Sequence, residues 1–331
     1  MNVAVDAMGG DNAPEMVVQG AVEAVSEFGI DITLVGHEKK LRKALDARPA
    51  HGHISFHHCE DVVEMDESPL KALRRKKDTS IKVAFDLVKG GHADAVISAG
   101  NSGATLAAGV LALGRMEGVE RPAIATLVPT ERGRVILIDV GANVDCRPAQ
   151  LFQFGVMAQA FACSCLGMRD PKVGLLNIGE EEGKGNEQVR LAHKLFDKSE
   201  LNFVGNVEGR DILMGNVDIV VCDGFVGNVV LKVIEGNVET MGRLIERTLT
   251  SSFFGRVALA LSRKSIDGFK RKLDYEEHGG APLLGINGVG VVCHGGSSAK
   301  AIKNAISMAV QYVNSMVLEK MSLQLKASGI G

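Results

Sequence analysis

Five short apolar runs in this sequence stop in the same kind of turn and resume as helices. The run 219–222 (IVVC) shows the pattern most fully. Four β-favouring apolar residues in a row read as a strand buried on both faces, the habit of a parallel strand covered by helices. Asp223-Gly224-Phe225-Val226-Gly227-Asn228 then breaks the strand with turn formers, and Val229, Val230, Val233 and Ile234 recur at helical spacing. Run 95–98 enters Ala99-Gly100-Asn101-Ser102-Gly103 in the same way, and run 135–138 enters Asp139-Val140-Gly141-Ala142-Asn143-Val144-Asp145. Run 173–176 enters the turn 177–186 (NIGEEEGKGN), and run 289–293 enters His294-Gly295-Gly296-Ser297-Ser298. In an open parallel sheet such turns sit at the carboxyl edge, where the free N–H groups of starting helices attract anions. The five turns therefore predict one shared polar cleft. A sixth junction, 6–14 (DAMGGDNAP), follows the first strand, with Asp6 and Asp11 flanking the turn and Pro14 in a helix's first turn.

The expected fold class is α/β, a doubly wound, mostly parallel sheet with two lobes. All 331 residues then form a single two-lobed domain, with an amphipathic basic helical hairpin at about 250–274. A formal net charge of −3, no Trp and only two Tyr exclude a whole-chain nucleic-acid surface and stacking platforms. The six cysteines (59, 146, 163, 165, 222, 293) form no CxxC pair and sit mostly in apolar runs, as reduced thiols of a cytosolic protein do. The N-terminus enters its first strand without a basic leader, so no signal peptide is expected, and no apolar run is long enough to span a bilayer.

Several motifs read as less than they first suggest. His51, His53, His57 and His58 resemble a metal cluster, but His53 and His57 alternate with Ile54 and Phe56 along a strand and lack a carboxylate or thiol set. The segment 179–185 (GEEEGKG) has three residues between glycines where a P-loop has four, and Gly after its lysine. Gly288-Val289-Gly290 lacks the third glycine of the dinucleotide fingerprint, Cys293 standing there. Two basic segments are more informative. Residues 71–77 (KALRRKK) hold five cations in seven, among them Arg74 and Arg75, and suit an acidic partner. Residues 243–272 carry eight Lys/Arg against Glu246 and Asp267, interleaved with Phe253, Phe254, Val257, Leu261, Ile266 and Phe269. This segment, like 71–77, could hold an acidic partner, or it could be a helix pair on a dimer surface. Alternatively, a hairpin turning near 264–268 would set those apolar groups in the headgroup boundary of an anionic membrane, with Arg263 and Lys264 meeting the lipid charge.

At these turns the sequence closely resembles the bacterial PlsX family, the acyl-carrier-protein:phosphate acyltransferases of phospholipid synthesis. VDAMGGDNAP (5–14), SAGNSGA (98–104), RPAI (121–124), DVGANVD (139–145), GLLNIGEEEGKGNE (174–187) and VCDGFVGNVVLK (221–232) carry the likeness, which spans nearly the whole chain. Ser102 replaces a commoner Thr and keeps the hydroxyl, whereas Val226 replaces a usual Thr and loses it. The resemblance implies a homodimeric fold like those of phosphotransacetylases and isocitrate/isopropylmalate dehydrogenases. It also implies conversion of acyl carrier protein thioesters and inorganic phosphate into acyl phosphate, for which no cofactor is expected. The basic hairpin would place that reaction at the inner face of the cell membrane, where a membrane-embedded acyltransferase could take the product.

That chemistry needs an anion cradle, a polarised carbonyl and a leaving thiolate. Phosphate is itself the nucleophile and a thiol of pKa about 8.5 leaves readily, so no Ser–His–Asp set is required. Helix-start N–H groups at Asn101-Ser102-Gly103 offer a phosphate site, with Lys184 adding positive charge. Asn177, Asn186 and Asn228 can donate to the developing oxyanion, and Asp223 or Glu180 can orient Lys184. Asp6, Gly227 and Ser297 stand with the substrate-binding turns, and Asn143, Asp145 and His294 suit either a binding or a structural role. Two other classes fit the fold: a metal- and NAD-dependent decarboxylating dehydrogenase, which wants an arginine cluster absent from these turns, and a non-catalytic carrier-protein or membrane scaffold.

Overall fold

The structure is a computed structural model and describes residues 1–46, 48, 53–261, 268 and 279–328. Its strands are β1 (Asn2–Asp6), β2 (Asp31–Gly36), β3 (Ile54–His58), β4 (Ala95–Ser98), β5 (Ala123–Thr130), β6 (Gly133–Ile138), β7 (Val173–Leu176), β8 (Phe203–Val207), β9 (Ile219–Val221), β10 (Ala281–Leu284) and β11 (Val289–Val292). They form one sheet in the order β3-β2-β1-β4-β11-β10-β5-β6-β9-β7-β8. Between them run α1 (Glu15–Phe28), α2 (Glu38–Asp46), α3 (Pro69–Arg75), α4 (Ser80–Lys89), α5 (Ser102–Leu113), α6 (Pro148–Cys165), α7 (Glu187–Asp197), α8 (Asp211–Met214), α9 (Gly224–Thr250) and α10 (Phe253–Leu261). Helices Ala299–Asn314 and Val317–Ala327 close the described chain.

Alternation along each strand sorts side chains to the two faces. Val3, Val5, Ile97, Ile136, Ile138, Ile219 and Val221 pack in one core under α1, α6 and the two last helices. Ala4, Val96, Val135, Leu137 and Val220 pack in a second core under α3, α4, α5 and α8. Both faces are therefore dry, which is why the strands read as unbroken apolar runs.

The strand directions overturn the expectation of a single cleft. β3, β2, β1, β4 and β11 are mutually parallel, and so are β6, β9, β7 and β8. Between these sets, β10 runs antiparallel to both β11 and β5, and β5 runs antiparallel to β6. The count of reversals is odd, so the two parallel sets point in opposite senses and their carboxyl ends leave at opposite edges. Turns 6–14, 99–103 and 294–298 share one edge; turns 139–145, 177–186 and 223–228 share the other. The physical cause is the hairpin at Glu131-Arg132, which sends the second half of the chain back across the sheet.

α9 is 27 residues long, about 40 Å at 1.5 Å per residue, and only Gly224 and Gly227 in it are buried. Its far end packs against α10 after a break at Ser251-Ser252, with Phe253 and Phe254 exposed, the latter to 84%. Arg263, Lys264 and the expected turn around 264–267 lie outside the described residues, as do the side chains of Val257 and Leu261. Among the described residues no helix is long and apolar enough to cross a membrane. His53 meets Asp31 and His58 meets Glu60, each at 2.8 Å, and His58 Nδ1 also accepts from Glu38 N at 3.3 Å, while His51 lies outside the described residues.

Candidate active site

At the first edge, Asp6 is an internal bracket. Its Oδ1 accepts the N–H groups of Met8 (3.3 Å) and Gly9 (3.2 Å), and its Oδ2 accepts the Ser98 hydroxyl at 2.7 Å. Ser98 Oγ in turn accepts the Gly100 N–H at 3.0 Å, so one buried carboxyl ties the turns after β1 and β4 together. Burial pushes the Asp6 pKa up, against the pull of those donors. Asn101 caps α5 by accepting from Ala104 N (3.0 Å), while its Nδ2 donates to the carbonyls of Met65 and Glu67. The N–H groups of Ser102 and Gly103 start that helix without intrahelical partners. His294 Nδ1 accepts from Gly296 N at 3.2 Å, and Ser297 is buried with its N–H on the His294 carbonyl. Asp6, Asn101 and Ser297 thus hold turns in place and do not face solvent as free ligands.

The second edge is assembled from three neighbouring turns, because β9 lies between β6 and β7. Asp139, at the end of β6, is fully buried. Its Oδ1 accepts from Ile124 N and Ala142 N, both at 3.1 Å, and its Oδ2 from Asn143 N (2.7 Å) and Asn143 Nδ2 (2.9 Å). Burial raises its pKa to about 6 despite these donors. Asn143 also donates to the Pro122 carbonyl at 2.8 Å and accepts Gly224 N on its own carbonyl at 2.6 Å. Only glycine lets α9 start this close. A Cβ on Gly224 would stand 2.7 Å from Asp139 Oδ2, and one on Gly227 would collide with the Asp139 carbonyl.

Asp223 is the N-cap of α9, its Oδ1 accepting from Phe225 N (2.9 Å) and Val226 N (3.1 Å). Asn228, one turn on, is exposed, and its side chain carries no hydrogen bond among the described residues. Asn177 fixes the third turn by accepting from Ile178 N (2.8 Å) and donating to the Lys184 carbonyl (3.1 Å). Gly185, at φ +84°, leaves room for the Asn177 amide, and Gly179 leaves room for the Lys184 stem. Asn186 caps α7 through Val189 N at 2.9 Å. Asp145 is exposed in the left-handed region at φ +53°, a conformation that Asp tolerates better than most residues.

Lys184 is 52% exposed on this edge. Its ammonium lies 3.9 Å from Glu181, whereas Glu180 reaches Arg210 at 4.0 Å and Asp223 is committed to its cap. Neither of the two acids expected to orient Lys184 does so; Glu181 stands nearest. The separation of the edges also parts Lys184 from the Asn101–Gly103 helix start within one chain. Two residues escaped sequence reasoning. Asp139 reads there as a turn former, and its long-range donor Ile124 leaves no local mark. Arg121 lies one residue before Pro122, exposed and without an ion-pair partner among the described residues, and its charge opposes the burial that raises the neighbouring Cys146 thiol to about 12. Its signal was the RPAI stretch. Beside the Asn101 turn, whose amide donates to the Glu67 carbonyl, Arg75 and Lys76 are held by the Glu67 carboxylate at 2.7 and 2.5 Å, while Arg74 stays exposed and unpaired among the described residues.

The architecture is shared with α/β enzymes of known structure, phosphotransacetylases and a 4-hydroxythreonine-4-phosphate dehydrogenase among them. A phosphotransacetylase from Streptococcus pyogenes matches with TM-score 0.65 at 18% identity, over 95% of this chain and 94% of that one. A branched-chain phosphotransacylase from Enterococcus faecalis matches with TM-score 0.57 at 16% identity, over 95% and 99%. At that identity they show the fold alone. Sequence goes further: the family described as fatty acid synthesis protein matches residues 1–320. A phosphate acyltransferase of Geobacter sulfurreducens is 52% identical over 99% of this chain and 96% of its own length, and one of Nitratidesulfovibrio vulgaris is 52% identical over 96% and 93%. The chain belongs to this family of phosphate acyltransferases.

Proposed function

We propose that the protein moves a fatty acyl group from an acyl carrier protein thioester to inorganic phosphate, giving acyl phosphate for phospholipid synthesis. The observation that carries this reading is the second edge: an exposed cation, Lys184, and an unpartnered amide, Asn228, on turns held rigid from beneath by Asp139, Asn143, Asp223 and Asn177. A phosphate oxygen attacks the thioester carbon, the C–O bond forms, and the C–S bond breaks to release the carrier's thiolate. Lys184, with Arg121 as a second cation, offsets the charge of phosphate and of the oxyanion, and Asn228 donates to that oxyanion. Dependence of thioester loss on added phosphate, with no nucleotide supplied, tests the reading.

In this reading the protein is a homodimer. The Ser102 and Gly103 N–H groups, with His294 beside them, form a second anion-binding edge that a partner subunit can bring to the first. The α10 end, with Phe253 and Phe254 exposed, rests on an anionic membrane and passes acyl phosphate to a membrane acyltransferase. The acidic carrier protein docks on the α3 cations. Because Glu67 already holds Arg75 and Lys76, Lys71, Arg74 and Lys77 are the outward charges. Attraction between exposed charges is screened by salt. Apparent affinity for acyl carrier protein is expected to fall several-fold as ionic strength rises, and Arg74→Glu with Lys77→Glu to mimic that fall at low salt. A KM indifferent to both would remove α3 from the docking surface.

A further inference from the structure

The polar turns of the second edge carry exposed apolar side chains in an ordered set. Val144 follows Asn143 and is 62% exposed, Ile178 follows Asn177 and is 83% exposed, and Phe225 follows Gly224 and is 62% exposed. Isolated exposed apolar residues are ordinary on protein surfaces. These three sit on adjacent turns, because β6, β9 and β7 are neighbours. They also continue outward: Val229 and Val233, four and eight residues after Phe225, are exposed on the same side of α9. That stripe adds about 12 Å at 1.5 Å per residue. The Phe225 backbone is pinned by its N–H bond to Asp223, so the ring is an anchor fixed to the turn that holds the polar groups.

A fatty acyl thioester has two demands. Its carbonyl must lie among hydrogen-bond donors, and the chain leaving that carbonyl must lie on apolar surface continuous with them. We propose that the ridge Val144, Ile178, Phe225, Val229 and Val233 binds the acyl chain of the substrate and leads it from the turns along α9. The proposal rests on the acyl-transfer reading above and adds where the chain lies and which residues set chain-length preference.

The test is kcat/KM for butyryl, octanoyl, dodecanoyl and hexadecanoyl carrier-protein thioesters with wild type, Phe225→Ala, Ile178→Ser and Val229→Ser. All three positions are exposed, so the variants should melt near wild type. Wild-type kcat/KM should rise with chain length. Each variant should lose more the longer the chain, reaching about tenfold for hexadecanoyl, equivalent to about 1.4 kcal/mol. An equal loss at every chain length, with or without a change from dimer to monomer in sedimentation, would make the ridge a structural or subunit surface and overturn the proposal. So would wild-type losses of zero in all variants. If wild type consumes no thioester with phosphate at any length, the reaction itself is wrong; if it does so with no chain-length dependence, only this subsite is.

Discussion

Lys184→Ala is expected to lower kcat by about 10²–10³-fold, the usual cost of removing one group that meets developing charge in an acyl-transfer transition state. The residue's setting argues for so large an effect. Its stem lies over Gly179, its carbonyl is tied to Asn177, and its ammonium is left in solvent with only Glu181 nearby at 3.9 Å. An exposed pair at that distance adds at most about 1 kcal/mol to stability, so the variant should unfold close to wild type. Lys184→Arg keeps the charge but changes its shape and should recover part of the rate. The measurement is steady-state turnover beside a thermal melt. Wild-type rates in Lys184→Ala would make Lys184 an ordinary solvated lysine.

Asp139→Ala should cost the fold more than any surface change. Three backbone N–H groups, of Ile124, Ala142 and Asn143, lose their acceptor inside the protein. At about 1–3 kcal/mol per orphaned donor, the sum is comparable with the whole 5–15 kcal/mol of a typical domain. Soluble yield and the denaturant midpoint should both collapse; a midpoint near wild type would show that water replaces the carboxyl. The milder Asp139→Asn carries a pH signature. Burial raises the Asp139 pKa from 3.8 to about 6, so the folded state favours the neutral acid. That contribution is full below pH about 4 and is lost as pH rises through about 6. The stability gap between wild type and Asp139→Asn should therefore be widest in acid and narrow toward neutral pH.

What could be read from the sequence was local. The strand and the breaker Asp223 stand where the apolar run and its punctuation put them, but the helix begins at Gly224, inside the expected turn 223–228, because the Asp223 cap lets the chain coil at once. Lys184's exposure likewise follows from its Gly-Lys-Gly setting. The direction of the second half of the sheet was not legible from any one turn. It depends on the β5–β6 reversal, and the only local sign was Glu131-Arg132-Gly133 between two apolar runs. Asp139 was hidden for a related reason: a carboxyl at a strand end reads as a solvated turn residue until the chain around residue 124 is known to donate to it. The partner of Lys184 was misread because neighbouring Glu180 and Glu181 differ only in the twist of an exposed loop.

The most direct test of the acyl-transfer account is a product balance on purified protein with hexadecanoyl carrier protein, following free carrier thiol and acyl phosphate together. The account predicts equal amounts of the two, both rising with added phosphate and both absent without it. Thiol released at full rate without phosphate, or released with free fatty acid in place of acyl phosphate, would contradict it.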